Sequence, residues 1–174
     1  LRAVARVDTF FWDGPMTDQR PIPNFIHDLA VDKDGKLWVS TNMQISCFDP
    51  VQMQLHKLWT DPAALSNDHS ILPIHLSVGP DGSMWVSHPD RLLHVRGERV
   101  DMFPFPTRSP FPQTDVVFDA AGNLFTSTRK QIFTLSAAQQ QAGTGAFSLL
   151  YQFSDDGIIG STQLLMDNGG LLWI

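Results

Sequence analysis

The sequence predicts an all-β chain assembled from repeated four-stranded sheets. Three observations lead there. First, one short hairpin recurs, as Leu29–Thr41, Leu76–His88, Val116–Thr128 and Leu164–Ile174. Each copy places a glycine between two apolar runs: Gly35, Gly82, Gly122 and Gly170. Asp34-Gly35 and Asp81-Gly82 are strong hairpin signals, because a tight turn needs residues that tolerate positive φ. Second, the spacing is regular. Trp38 to Trp85 is 47 residues, Trp85 to Phe125 is 40 and Phe125 to Trp173 is 48. Third, Trp12 precedes Trp38 by 26 residues and Trp59 precedes Trp85 by the same 26. No stretch sustains a helical period. Strand-rich units of this length, repeated, are the mark of a β-propeller with one unit per blade.

The elements follow in order. Residues 1–12 read as the outer strand of a preceding blade. Residues 13–60 form a blade, beginning with a polar connector that carries Pro15, Pro21 and Pro23, residues that resist both helix and central strand. Its strands are expected at 25–32, 36–41, 45–49 and 54–59. On the first two, Leu29, Val31, Leu37 and Val39 share one face and Trp38 takes the other. Residues 61–103 form the second blade, with strands near 74–78, 83–87, 92–96 and 99–103. Residues 104–153 form the third, with strands near 115–118, 123–127, 131–136 and 147–153. The connection Ala137–Ala146 is long and low in complexity and reads as a mobile surface loop, with at most a short helical turn at 137–141. Residues 154–174 begin a blade that stops mid-strand. Three full blades with partial flanking ones are fewer than the usual closed ring. The expectation is therefore a fragment of a larger, seven-bladed propeller, whose open arc would expose apolar blade faces.

Composition narrows the function. The net charge is −6, with 12 Lys+Arg against 18 Asp+Glu. No basic stripe exists, so nucleic acid is not the expected partner. No apolar run approaches the ~20 residues that a membrane span needs. Cys47 is alone, which gives neither a disulfide framework nor a thiolate metal motif. Asp32-Lys33-Asp34-Gly35 resembles the start of a calcium loop, but Lys36 and Met43 stand where that loop needs acidic ligands, and a turn is the better reading. The repeated Trp38, Trp85, Phe125 and Trp173 are expected to pack between neighbouring blades rather than to stack on a ligand. Six histidines are present, without a His-x-His or Glu-x-His pair. Glu98 is the single glutamate, in a turn on the rim opposite the long loops. No nucleophile elbow, phosphate-cradling glycine loop or zinc pattern occurs. No cofactor is expected, and no catalytic or metal-ligating residue stands out.

In a propeller the inner strand lines the axis. The loops from one outer strand to the next inner strand share a rim with those joining second and third strands. The long connections 13–24, 61–73, 104–114 and 154–161 therefore fall on one rim, with the short ones at 42–44, 89–91 and 129–131. Recognition on a repeated scaffold lives in such loops. Arg20, Asn67, His69, Arg91, Arg108 and Arg129 are the candidate ligand contacts.

The unit Asp-x-x-Gly-x-Leu-Trp-x-Ser-Thr, present as Asp32, Gly35, Leu37, Trp38, Ser40 and Thr41, resembles the two-component regulator propeller repeat. Asp81, Gly82, Met84 and Trp85, then Asp119, Gly122, Leu124 and Phe125, then Asp167, Gly170, Leu172 and Trp173 repeat it, and Leu65-Ser66-Asn67 matches the stretch that precedes such a unit. The resemblance implies the extracytoplasmic, periplasmic ligand-sensing part of a bacterial membrane receptor. A β-sandwich, one membrane helix and a histidine kinase or diguanylate cyclase would follow it. It implies a small-molecule or oligosaccharide ligand, contact with neighbouring blades of the parent chain, and a parent able to form a homodimer. The segment itself would be no enzyme. Gly79–Trp85 also resembles the streptogramin B lyase propellers, which implies the alternative of a metal-dependent lyase. A non-catalytic interaction scaffold is the third reading.

Overall fold

The computed structural model describes residues 26–41, 44–60, 75–88, 90–106, 116–128, 130–154 and 163–174. The first sheet runs β1 (Ile26–Val31), β2 (Leu37–Thr41), β3 (Gln44–Asp49) and β4 (Gln54–Thr60), paired in that order. The second is β5 (His75–Val78), β6 (Met84–His88), β7 (Arg91–Arg96) and β8 (Arg99–Pro104). The third is β9 (Val116–Phe118), β10 (Leu124–Ser127), β11 (Gln131–Leu135) and β12 (Ser148–Gln152), with helix α1 (Ala137–Ala142) before its last strand. A two-stranded sheet, β13 (Leu165–Met166) and β14 (Leu172–Trp173), completes the described residues. All pairings are antiparallel, as short connections between consecutive strands require. The expected faces hold: Leu29 pairs with Val39 and Val31 with Leu37 on one face, while Ala30 opposite Trp38 turns to the other.

The sheets stack face to face through two apolar layers. Trp38, Ile45 and Cys47 of the first sheet meet Leu76, Met84, Val86, Leu93 and Val95 of the second. The opposite face of the second sheet carries Trp85, Leu92 and Phe103, which meet Val116, Leu124, Phe133 and Leu135 of the third. Period-two alternation thus gives the middle sheet two buried faces, one toward each neighbour. First strands lie together: β1 against β5, and β9 against β13. This is the radial stacking of propeller blades.

Each hairpin is built the same way. In the first, the Gly35 N–H donates to Asp32 O at 3.0 Å and the Asp32 N–H to Lys36 O at 3.1 Å. Asp119 and Asp167 anchor identical turns, and Gly79 takes that place in the second sheet. The expected two-residue Asp-Gly turn is therefore wider than its sequence suggests. Gly35 alone has positive φ, at 77°, and Asp34 stays in the ordinary region. The aspartate two residues before Asp34 does the fastening. Asp32 Oδ1 accepts the N–H groups of Asp34 and Lys36, and Oδ2 accepts the indole N–H of Trp38 at 2.8 Å. Its carboxylate is spent inside the hairpin, which agrees with a turn rather than a calcium loop.

Two expectations need correcting. The segment read as a mobile loop contains a capped helix. Ser136 accepts from the Gln139 N–H while Gln139 Oε1 accepts from the Ser136 N–H, and Gly143 closes the end at φ 69°. A Ser-x-x-Gln capping box needs only four residues, so it escapes a search for sustained periodicity. The repeated aromatics also differ in burial. Trp85 and Trp38 are buried between sheets as expected. Phe125 is half-buried and Trp173 is 57% exposed. Both belong to the end of the arc, where only two strands of the last sheet are described and little stands against them.

Candidate functional site

Of the six candidate contacts, Arg91 lies among the described residues; Arg20, Asn67, His69, Arg108 and Arg129 fall outside them. Arg91 opens β7 beside the short connection from β6, on the rim where the long loops were placed. Its guanidinium forks onto the adjacent Asp90, with Nε donating to Oδ1 at 2.7 Å and Nη2 to Oδ2 at 2.9 Å. His88 Nδ1 shares Oδ1 of the same carboxylate at 2.7 Å. Burial pushes the Asp90 carboxyl up, but the hydrogen bonds and charges of Arg91 and His88 outweigh it and hold the pKa at about 2. The carboxylate is ionised and can only accept, so Nδ1 of His88 carries the proton. The ring of Trp59, from the end of β4, stands edge-on to His88 with centroids 6.3 Å apart.

The site is thus a part-buried Asp90–Arg91–His88 cluster against an indole, at the junction of the first two sheets. Such a group suits orientation of a polar ligand: donors held in fixed directions beside an apolar wall. Sequence reasoning chose Arg91 and missed Asp90 and Trp59. The His88-x-Asp90-Arg91 spacing was the available signal, since β-strand ends on either side of a two-residue turn bring those side chains together. Nearer the axis, Asp28 of β1 and His75 of β5 approach to 3.8 Å. Among the described residues no group of three or more His, Cys, Asp or Glu side chains is arranged to hold a metal.

A chain of Asp81, Ser83 and His94 in the second sheet has the residue types of a hydrolytic triad but the wrong polarity. The Ser83 hydroxyl donates its hydrogen bond to Asp81 Oδ1 at 2.5 Å, so His94 Nε2 donates to Ser83 Oγ at 2.7 Å. Burial, followed by the charge of Arg96, lowers the His94 pKa to about 4, so the ring is neutral at pH 7. A histidine that donates to the serine cannot take its proton, and Nδ1 is buried without a partner. The ring instead stacks on Trp85, with centroids 3.9 Å apart and planes within 13°. This cluster is structural.

The four-stranded sheets, stacked through alternating faces with their first strands together, define a β-propeller arc. Residues 21–43 match the family model described as two component regulator propeller, so the chain carries a repeat of that kind. Solved structures agree on the fold. A streptogramin B lyase is 16% identical with TM-score 0.65, over 87% of this chain and 48% of that one. Virginiamycin B lyase from Staphylococcus aureus is 14% identical with TM-score 0.62, over 83% and 46%. The extracellular domain of a protein described as a hybrid two component system from B. thetaiotaomicron is 21% identical with TM-score 0.59, over 85% and 20%. This chain therefore spans about half the length of the lyases and a fifth of the sensor structure. No curated protein matches it.

Proposed function

We propose that the chain is a ligand-sensing propeller segment of a bacterial extracytoplasmic receptor of the two-component kinase or diguanylate cyclase type. The observation that carries this reading is the regulator-propeller match over residues 21–43, which contains the Asp32–Trp38 hairpin found again in the later sheets. The Asp90–Arg91–His88 cluster supports recognition of a small polar ligand, an oligosaccharide or a peptide among them. Arg91 and the other five rim residues are its proposed contacts, and the segment works by binding rather than by catalysis.

The encoding gene, read downstream, is the first test. A membrane span followed by a kinase or cyclase is expected; a gene that ends with the propeller overturns the receptor reading. The likeness in fold to the lyases favours a second reading, a metal-dependent lyase. Quinupristin, the compound present in a related virginiamycin B lyase structure, is its probe. Cleavage of quinupristin by the whole protein in the presence of magnesium would establish that reading, and an unchanged compound would exclude it for this substrate.

A further inference from the structure

The fourth hairpin differs from the other three in what its turn carries. After the residue that anchors each turn, the chain reads Lys33-Asp34-Gly35, Pro80-Asp81-Gly82, Ala120-Ala121-Gly122 and Asn168-Gly169-Gly170. Of the asparagines in the chain, Asn168 alone is followed by glycine. Asn168 and Gly169 are exposed, and so are Lys33, Pro80 and Ala120 at the matching place in the three four-stranded sheets. The turn itself therefore sets this position in solvent, whatever stands against the last sheet. Asn123 makes the contrast. Its Nδ2 donates to Asp119 Oδ2 at 2.8 Å and its Oδ1 accepts the Ala137 N–H at 3.2 Å. Among the described residues the Asn168 side chain has no such ties.

We propose that Asn168 is a site of spontaneous deamidation in the folded chain. The Gly169 amide nitrogen gives its proton to solvent base and attacks Asn168 Cγ. The new C–N bond closes a cyclic succinimide, and the side-chain nitrogen takes up a proton and leaves as ammonia. Water then opens the ring at either carbonyl, which leaves aspartate or isoaspartate at 168. Water is the co-reactant and nothing is oxidised or reduced. Glycine favours the attack because it has no Cβ to crowd the approach and lets the backbone swing into the ring geometry. One contact opposes it: the Gly169 N–H donates to Asp167 Oδ1 at 2.9 Å. That bond lies at the surface, where water competes for both partners and local opening costs little. The isoaspartate product adds a methylene to the backbone beside Asp167. The same Asp167 carboxylate accepts the Leu171 N–H and the Trp173 indole N–H, so the product loosens the fastening of the whole turn. The inference concerns the hairpin turns and does not depend on the receptor reading.

The full chain, held warm at mildly alkaline pH and sampled over days, provides the test. Peptide mapping by mass spectrometry is expected to show NH2 replaced by OH at Asn168 ahead of Asn24, Asn42, Asn67 and Asn123. An isoaspartyl methyltransferase is expected to label the same peptide. Asn168→Ala should abolish the label. Gly169→Ala, at a position whose φ is not left-handed, should slow it at least several-fold. A parallel sample in urea gives the rate without the turn. An unmodified Asn168 in the folded chain, whatever the urea sample does, would overturn the proposal. So would faster conversion at another asparagine, or an undiminished rate in Gly169→Ala.

Discussion

The Asp28 carboxylate accepts the backbone N–H of Leu76 through Oδ2 at 2.9 Å, which ties the first strands of two successive sheets together. Its other oxygen accepts the Leu29 N–H at 2.8 Å. Among the described residues these two sheets otherwise meet mainly through the apolar side chains of the layer between them, which slide more easily than a directed hydrogen bond. Asp28 therefore sets their relative height. Asp28→Ala is expected to cost about 1–3 kcal/mol, because it leaves the Leu76 N–H without its charged acceptor. Asp28→Asn keeps an acceptor and should lose less than half of that. Urea unfolding of the two variants measures the difference.

Trp38 and Phe125 occupy equivalent places, yet the aspartates behind them are satisfied differently. Asp32 Oδ2 takes the indole N–H, whereas Asp119 Oδ2 takes Asn123 Nδ2 at 2.8 Å. Lys36 holds the position equivalent to Asn123. Trp38→Phe is expected to destabilise by about 2–4 kcal/mol, from lost area and an abandoned carboxylate oxygen. Adding Lys36→Asn should return about 1 kcal/mol of it, as a donor of the kind the third hairpin already uses. A double-mutant cycle in urea isolates that coupling.

Acid should weaken the fold in two stages. His94 is held near pKa 4 against an ordinary 6.5, so the unfolded chain binds the extra proton between those values and stability falls as pH drops from 6.5 toward 4. Asp90 is held at about 2 against 3.8, so its contribution is present above 3.8 and is lost as pH falls toward 2. His94→Phe keeps a ring on Trp85 and removes the larger share of the first stage, while His27, whose pKa burial also lowers, retains its own part. At neutral pH the lost Ser83 contact and the removed orphan Nδ1 should nearly cancel, leaving a change within about 1 kcal/mol. Chemical unfolding measured across pH 2 to 8 in both proteins separates the stages.

Helix α1 should stand or fall with its caps. Ser136→Ala removes the acceptor for the Gln139 N–H and is expected to cost about 1 kcal/mol. Gly143→Ala should cost more, about 1–3 kcal/mol, since the residue is left-handed and a Cβ there would lie 2.6 Å from Asp101 Oδ1. Thermal unfolding followed by circular dichroism gives both values.

The strands and their repeat could be read from residue order, because alternation and turn glycines are local properties. Leu29 to Val39 announced a hairpin and its two faces, though not the wider turn that sets its pairing, and the repeated aromatics announced how many sheets to expect. What needed the third dimension were relations between distant or mismatched residues. The Asp28–Leu76 bond spans 48 positions, and nothing near Asp28 in the chain predicts it. Asp90 and Trp59 join one site only because β4 and β6 end on the same rim. Hydrogen-bond polarity in the Asp81–Ser83–His94 chain likewise depends on which groups burial strips of water. Periodicity records which face a residue turns to the core; which partner waits on that face is decided by packing.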